Sequence, residues 1–168
     1  MSGNDPKVSA ERRVTGDVRF HLRLGWWSLL LFACLGLTLE AMHGFKVDWY
    51  LNVASETRRL MFRLAHAHGT LLAVLHVAFG ATLAVAAPEG RARRVASRAL
   101  IAAGLLLPAG FLLGGFGAIG GDPGMGIGLV PLGALCLLTA LFSAAWSLQP
   151  PKAAKPAKTA TPKPKAQE

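Results

Sequence analysis

The chain has very little cysteine, and its apolar segments contain almost no acidic residues; both shortages exclude kinds of protein. Cys34 and Cys136 are the only cysteines among 168 residues, and each lies near the middle of its own apolar run. We interpret them as small packing residues rather than as a disulfide framework. Glu40 is the only acidic residue clearly inside such a run. This excludes a di-iron bundle, because that site needs several inward-facing acids.

Amphipathic stripes of the kind that cover a soluble core are also missing. The sequence is 52% hydrophobic with a mean hydropathy of +0.41, which is too apolar for an ordinary soluble domain of this size. A membrane core about 30 Å thick is crossed by about 20 apolar residues in a helix. Four runs are that long: 24–43, 60–87, 96–117 and 125–148. The sequence therefore predicts an all-α integral membrane protein, a four-helix bundle.

Basic residues predict the orientation of these spans. Of the 18 lysines and arginines, 14 lie before the first span, between Arg91 and Arg98 at the start of the third, or after the fourth. Such residues favour the cytoplasmic side, so both termini are predicted inside. The domains are then a polar cytoplasmic segment (1–23), the membrane domain (24–148) and a disordered Lys/Pro/Ala-rich cytoplasmic tail (149–168). We expect a bacterial inner membrane, anionic lipid at the cytoplasmic face and no bound nucleic acid.

Ionisable side chains inside apolar sequence are costly, and they mark candidate functional residues. Glu40 and His43 end the first span, while His66, His68 and His76 lie within the second. At 1.5 Å per residue, the first four come to a similar depth in the outer half of the membrane. We therefore predict a site formed by Glu40, His43, His66 and His68, with His76 peripheral to it. His21 precedes the first span and is interpreted as a solvent or headgroup residue.

Helical periodicity divides the polar residues of the second span into two rows. At 100° per residue, one row descends from the outer surface on one face, and it consists of Arg59, Arg63, His66 and Thr70. His68 and His76 belong to a second row on another side of the same helix. A helix with two polar rows is expected to face protein partners rather than lipid.

Three interpretations of this cluster remain open. Imidazole ligates haem iron and transition metals, so His43, His66 and His68 are candidate cofactor ligands, with Glu40 as a further metal ligand or an orienting group. A row of histidines also suits proton transfer, as in a small proton-coupled transporter. The side chains could instead only hold helices together, in an accessory subunit of a larger membrane complex or a homo-oligomer. No complete active site is recognisable, so catalytic residues are unknown and an enzyme is not favoured.

A short motif bears on this choice. Residues 65–73, with the sequence AHAHGTLLA, resemble the H-A-H-x-x-L-L-G segment of proteins related to the catalytic subunit of haem-copper oxidases and nitric-oxide reductases. Small bacterial membrane proteins of the same style share that segment. The resemblance implies a membrane-embedded haem or copper site that uses His66, His68 or both. It covers nine residues, and the copper-site histidines of that family have no counterparts in this chain.

Apart from Arg98 at the cytoplasmic end of the third span, the third and fourth spans carry no charged residue and no histidine, and they are predicted to be scaffold. Their glycines recur at four-residue spacing, at Gly110 and Gly114 and again at Gly124 and Gly128. Small residues at this spacing let membrane helices approach closely. The glycine-rich connection between the two spans, residues 117–124, is predicted to be a tight turn.

Overall fold

The computed structural model describes residues 6–86, 88 and 90–149, and almost all of them are helical. In chain order the α-helices are α1 (Pro6–Gly44), α2 (Asp48–Leu51), α3 (Glu56–Ala86), α4 (Arg91–Phe116) and α5 (Leu129–Ser147). Two 3₁₀ turns, Val53–Ser55 and Met125–Gly128, precede α3 and α5. Within the described residues, four helices are long and apolar enough to cross a membrane, and each contains one of the four predicted spans, apart from the last residue of the second, third and fourth. The all-α prediction is confirmed.

Helix α1 begins well before the predicted span, at Pro6 rather than at Leu24. Proline suits the first helical position because its φ is already helical and the missing N–H needs no partner there. No further proline interrupts the polar residues that follow, so the helix continues directly into the apolar run. Of the predicted tail, only Gln149 is described, and the disorder predicted for the rest lies outside the described residues.

The long helices pack in chain order, with α3 and α4 in the centre. Extensive contacts join α1 with α3, α3 with α4, and α4 with α5. In their apolar windows, 39% of α3 and 44% of α4 is buried, against 11% in both α1 and α5. The outer surfaces of α1 and α5 are therefore apolar and exposed, which suits contact with lipid. The core between the central helices contains alanines that are fully buried, at Ala65, Ala96 and Ala103.

Glycines allow α4 and α5 to approach as closely as the spacing pattern predicts. A Cβ built on Gly110 would lie 2.9 Å from Cγ2 of Val130 and 3.2 Å from the carbonyl oxygen of Gly126. The connection between the helices is a tight turn, in which Ile119 and Asp122 exchange backbone hydrogen bonds of 3.1 and 3.0 Å. Gly120 and Gly121 have φ values of 59° and 93°, a region that favours glycine. The tight turn is confirmed, and the close approach is confirmed at Gly110; Gly128 takes no part in it, since a Cβ there would meet nothing within 4 Å.

Replacing Gly126 with alanine is expected to destabilise the protein. The added Cβ would lie 2.3 Å from Cβ of Leu113 and 2.9 Å from the backbone nitrogen of Gly114, and backbone cannot move aside cheaply. We expect Gly126→Ala to cost about 1–3 kcal/mol, the usual cost of overpacking. The measurement is the unfolding midpoint in detergent, followed by circular dichroism.

Gly128→Ala is the matched control. A Cβ on Gly128 would meet nothing within 4 Å, and the φ of −60° suits alanine. Its effect should stay within about 0.5 kcal/mol. Equal effects of the two substitutions would contradict the close α4–α5 packing.

Candidate functional site

Three buried polar side chains form a hydrogen-bonded chain across three helices. Nδ1 of His21 in α1 lies 2.9 Å from Nδ1 of His76 in α3, and Nε2 of His21 lies 2.8 Å from Oγ of Ser97 in α4. His21 is 0% exposed and His76 is 2% exposed. We call His21, His76 and Ser97 the histidine cluster. Because His21 bonds to two different helices, the cluster fixes the register of α1 against both α3 and α4.

An ion pair accompanies the cluster one helical turn away. Nη1 of Arg93 in α4 donates to Oδ2 of Asp17 in α1. Asp17 precedes His21 by four residues, and Arg93 precedes Ser97 by four, so each pair shares one face of its helix. The Arg93 side chain is 8% exposed, and that of Asp17 is 38% exposed. The pair therefore lies where the protein interior meets its surroundings, near the start of α1 and α4.

The interpretation of His21 as a solvent or headgroup residue is wrong, since its side chain is fully buried. The edge of its ring also packs on Phe79, with 4.8 Å between ring centroids. The sequence contains a signal for this burial, because residues on the packing face of α1 recur at intervals of three and four. From the C-terminal end toward the N-terminus, these residues are Leu39, Leu35, Phe32, Ser28, Gly25 and His21.

A second group of polar side chains lines a groove between α1 and α3, which we call the α1–α3 groove. The groove has a volume of 830 Å³ and lies at the opposite end of the two helices from the histidine cluster. Ala33 and Leu37 contribute to its apolar wall. Its polar lining consists of Glu40, His43, Tyr50, Arg59, Arg63 and His66. The groove thus combines one acid, two imidazoles and two guanidinium groups beside an apolar surface.

His66 is held in one orientation within this groove. Its Nδ1 donates to the backbone carbonyl oxygen of Phe32 in α1, across 2.8 Å. Because a carbonyl only accepts, the neutral ring carries its proton on Nδ1 and leaves a lone pair on Nε2. The ring also fits closely against Gly36, where an added Cβ would lie 2.5 Å from Cε1 of His66. A fixed imidazole with one free nitrogen is the state in which histidine binds metals.

The structure brings three of the four predicted site residues to the groove, and it places the fourth elsewhere. Glu40 and His43 line the groove with His66, and both are exposed. Nδ1 of His68 donates to the carbonyl oxygen of Leu64 in its own helix, and the ring packs on Phe111 of α4 at 4.7 Å. Among the described residues, no three His, Cys, Asp or Glu side chains are grouped closely enough to hold a metal ion.

The short segment between α1 and α3 forms the end of the groove and is fixed by arginines. Nη1 of Arg59 donates to the carbonyl oxygens of Tyr50 and Asn52, at 3.3 and 3.1 Å. Arg58 lies over the Trp49 ring, 4.6 Å from its centroid, and donates to the Trp49 carbonyl oxygen. Tyr50 is 3% exposed. Arg58 and Arg59 therefore both hold this segment in place. Of the two arginines that line the groove, Arg63 is the more exposed.

Replacing His21 with leucine is expected to destabilise the protein more than replacing an exposed histidine. The change leaves the polar atoms of His76 and Ser97 without their partners, at a cost of about 1–3 kcal/mol. His43→Leu is the control, because His43 is exposed, and its effect should stay within about 0.5 kcal/mol. Denaturant unfolding in detergent measures both. Equal stabilities would contradict a structural role for the histidine cluster.

The two groups differ in what they can do chemically. His21 uses both ring nitrogens to join helices, whereas His66 uses one nitrogen and presents the other in an open groove. The groove is therefore the better candidate for a cofactor, and the histidine cluster for holding helices and exchanging protons. Comparison of the chain with protein-family models, with curated proteins and with solved structures finds no match.

Proposed function

We propose that this protein crosses a membrane four times with both termini on the cytoplasmic side. Four long apolar helices support an even number of crossings. The distribution of charge supports the direction, since 14 of the 18 basic residues precede the first span in the sequence, lie between Arg91 and Arg98, or follow the fourth span. The groove then opens near the outer leaflet, and the histidine cluster lies toward the inner one.

Cysteine labelling in intact cells tests this orientation. In a background with Cys34→Ser and Cys136→Ser, the variants are Asp122→Cys in the α4–α5 turn and Arg91→Cys at the start of α4; both positions are exposed. A membrane-impermeant maleimide should label the first variant directly, and the second only after the cells are permeabilised. The reverse pattern would contradict the proposed orientation.

We infer that the α1–α3 groove binds haem, with His66 as an axial ligand. The observation that carries this inference is the hydrogen bond from Nδ1 of His66 to the Phe32 carbonyl oxygen, which fixes the ring and leaves Nε2 free in the groove. Axial histidines of metal sites characteristically donate their other nitrogen to a carbonyl or carboxylate. At 830 Å³, the groove lies within the range of about 300–1,000 Å³ that is usual for ligand sites.

The choice of haem over a single metal ion follows from the number of ligands. Structural zinc takes four protein ligands, and catalytic zinc takes three. The described residues offer no group of three, whereas haem iron is held by the porphyrin and needs only one or two axial side chains. His43 is the other imidazole of the groove and a candidate second ligand. His68 is not a ligand in this proposal, because it faces α4.

The charged residues of the groove suit the edge of a haem. Arg63 supplies a cation for the carboxylates of the porphyrin, and the apolar wall formed by Ala33 and Leu37 suits its ring. Glu40 adds an acceptor that could orient the His43 ring. Haem in such a site supplies reversible one-electron chemistry or a gas-binding centre, so electron transfer or sensing is the proposed role.

Visible absorbance of the purified protein tests this proposal. Protein expressed with haem supply should show a Soret band, and His66→Ala should remove most of it while the protein remains helical and monodisperse. His68→Ala is the matched control, since His68 lies two residues away but outside the groove, and it should keep the band.

Other results would contradict the haem proposal. One is the absence of any Soret band, with no iron at stoichiometric level by elemental analysis. Another is a Soret band that survives His66→Ala but is lost in His68→Ala, which would move the cofactor to the other side of α3. A protein without cofactor that copurifies with fixed membrane partners would favour the accessory-subunit interpretation instead.

A further inference from the structure

A second cavity, separate from the groove, lies between α1 and α4 on the surface of α3. It has a volume of 480 Å³, within the range of about 300–1,000 Å³ that is usual for ligand sites. Its floor is formed by small and apolar residues of α3, including Gly69, Leu72 and Ala73. Leu31 of α1 and Leu105 of α4 lie at its edge and are 63% and 67% exposed. The cavity thus opens toward the lipid-facing surface.

One end of this cavity is formed by His76. Its Nδ1 is bonded to His21, while its Nε2 lies beside Gly104, where an added Cβ would come within 2.8 Å of that nitrogen. Gly104 and His76 both line the cavity, so the absence of a side chain at Gly104 leaves Nε2 open to it. Within residues 6–86, 88 and 90–149, Nε2 of His76 has no hydrogen-bond partner. A ring that is 2% exposed therefore presents one free polar atom to an apolar space.

The histidine cluster can present that atom either as a donor or as an acceptor. If Nδ1 of His21 donates to His76, then His76 carries its proton on Nε2 and donates into the cavity, while Nε2 of His21 accepts from the Ser97 hydroxyl. If Nδ1 of His76 donates to His21, then Nε2 of His76 is an acceptor, and Nε2 of His21 donates to Ser97. Both arrangements satisfy the two observed hydrogen bonds.

We propose that this cavity binds a lipid-soluble quinone and its quinol, with the head of the ligand on Nε2 of His76. A quinone oxygen only accepts hydrogen bonds, so it matches the arrangement in which Nε2 of His76 is a donor. A quinol hydroxyl can also donate a hydrogen bond, so it matches the arrangement in which Nε2 is an acceptor. The residues that line the cavity include no Asp, Glu, Lys or Arg, which favours a neutral ligand over a fatty acid or a phospholipid head. The opening toward lipid allows such a ligand to enter from the membrane.

Infrared spectroscopy of the full chain in quinone-free nanodiscs tests this proposal. On titration with decylubiquinone, the carbonyl band should shift to lower wavenumber, as it does on hydrogen bonding, and the shift should saturate at one equivalent. His76→Phe should abolish the shift and weaken binding about five- to tenfold, the effect of losing one hydrogen bond. His68→Phe is the matched control, since this histidine of the same helix does not line the cavity, and it should bind as the unaltered protein does.

Two further arms make the test decisive. Ala109→Leu fills the cavity without touching the histidine cluster, so it should weaken binding even if His76→Phe does not fold. Diacylglycerol, a neutral lipid with a hydroxyl head, should compete poorly. The proposal is overturned by a shift that never saturates, by equal binding in Ala109→Leu and the unaltered protein, or by diacylglycerol competing as well as decylubiquinone itself.

Discussion

An imidazole that leaves water must find hydrogen-bond partners, and this requirement at His21 organises the start of the bundle. Only 11% of the apolar window of α1 is buried, so apolar packing alone fixes its position weakly. His21 adds two directional bonds, one to α3 and one to α4, and Asp17 adds an ion pair with Arg93. These contacts are specific in register, because shifting α1 by one residue would remove all of them. The lipid-facing cavity and the groove both depend on α1 keeping this position.

Much of the fold could be predicted from hydropathy, because length and apolar content are properties of a single segment. The four spans and the close α4–α5 packing at Gly110 follow from such local patterns. The start of α1 could not be placed in this way, since a polar sequence is compatible with either helix or coil. Its continuation to Pro6 shows that hydropathy locates the part of a helix that suits a membrane, not the whole helix.

The site residues were harder to predict, because a helix face has no partner until the helices are packed. The row that contains Arg59, Arg63 and His66 does line one groove, as the periodicity of α3 indicates. The sequence does not indicate which neighbours these side chains have: His66 contacts α1, whereas His68 contacts α4. Hydropathy places His21 outside the membrane, because the first apolar run begins only at Leu24. Buried and half-buried positions recur at intervals of three and four residues from Leu39 back to His21, but this pattern can be recognised only when the packing face of α1 is known.

The hydrogen bonds of the histidines also distinguish structural roles from binding roles. His66 and His76 are ten positions apart, or about 15 Å along the helix, and the described residues show no hydrogen bond that connects the two. A continuous proton path from Glu40 to His76 is therefore not supported by this packing.

A histidine that only joins helices is expected to form hydrogen bonds with both ring nitrogens, as His21 does. His76 uses one, and leaving the other unpaired in an apolar cavity costs about 1–3 kcal/mol. A ligand that bonds to Nε2 would recover that cost, so the unpaired nitrogen is a stronger argument for binding than the cavity volume is.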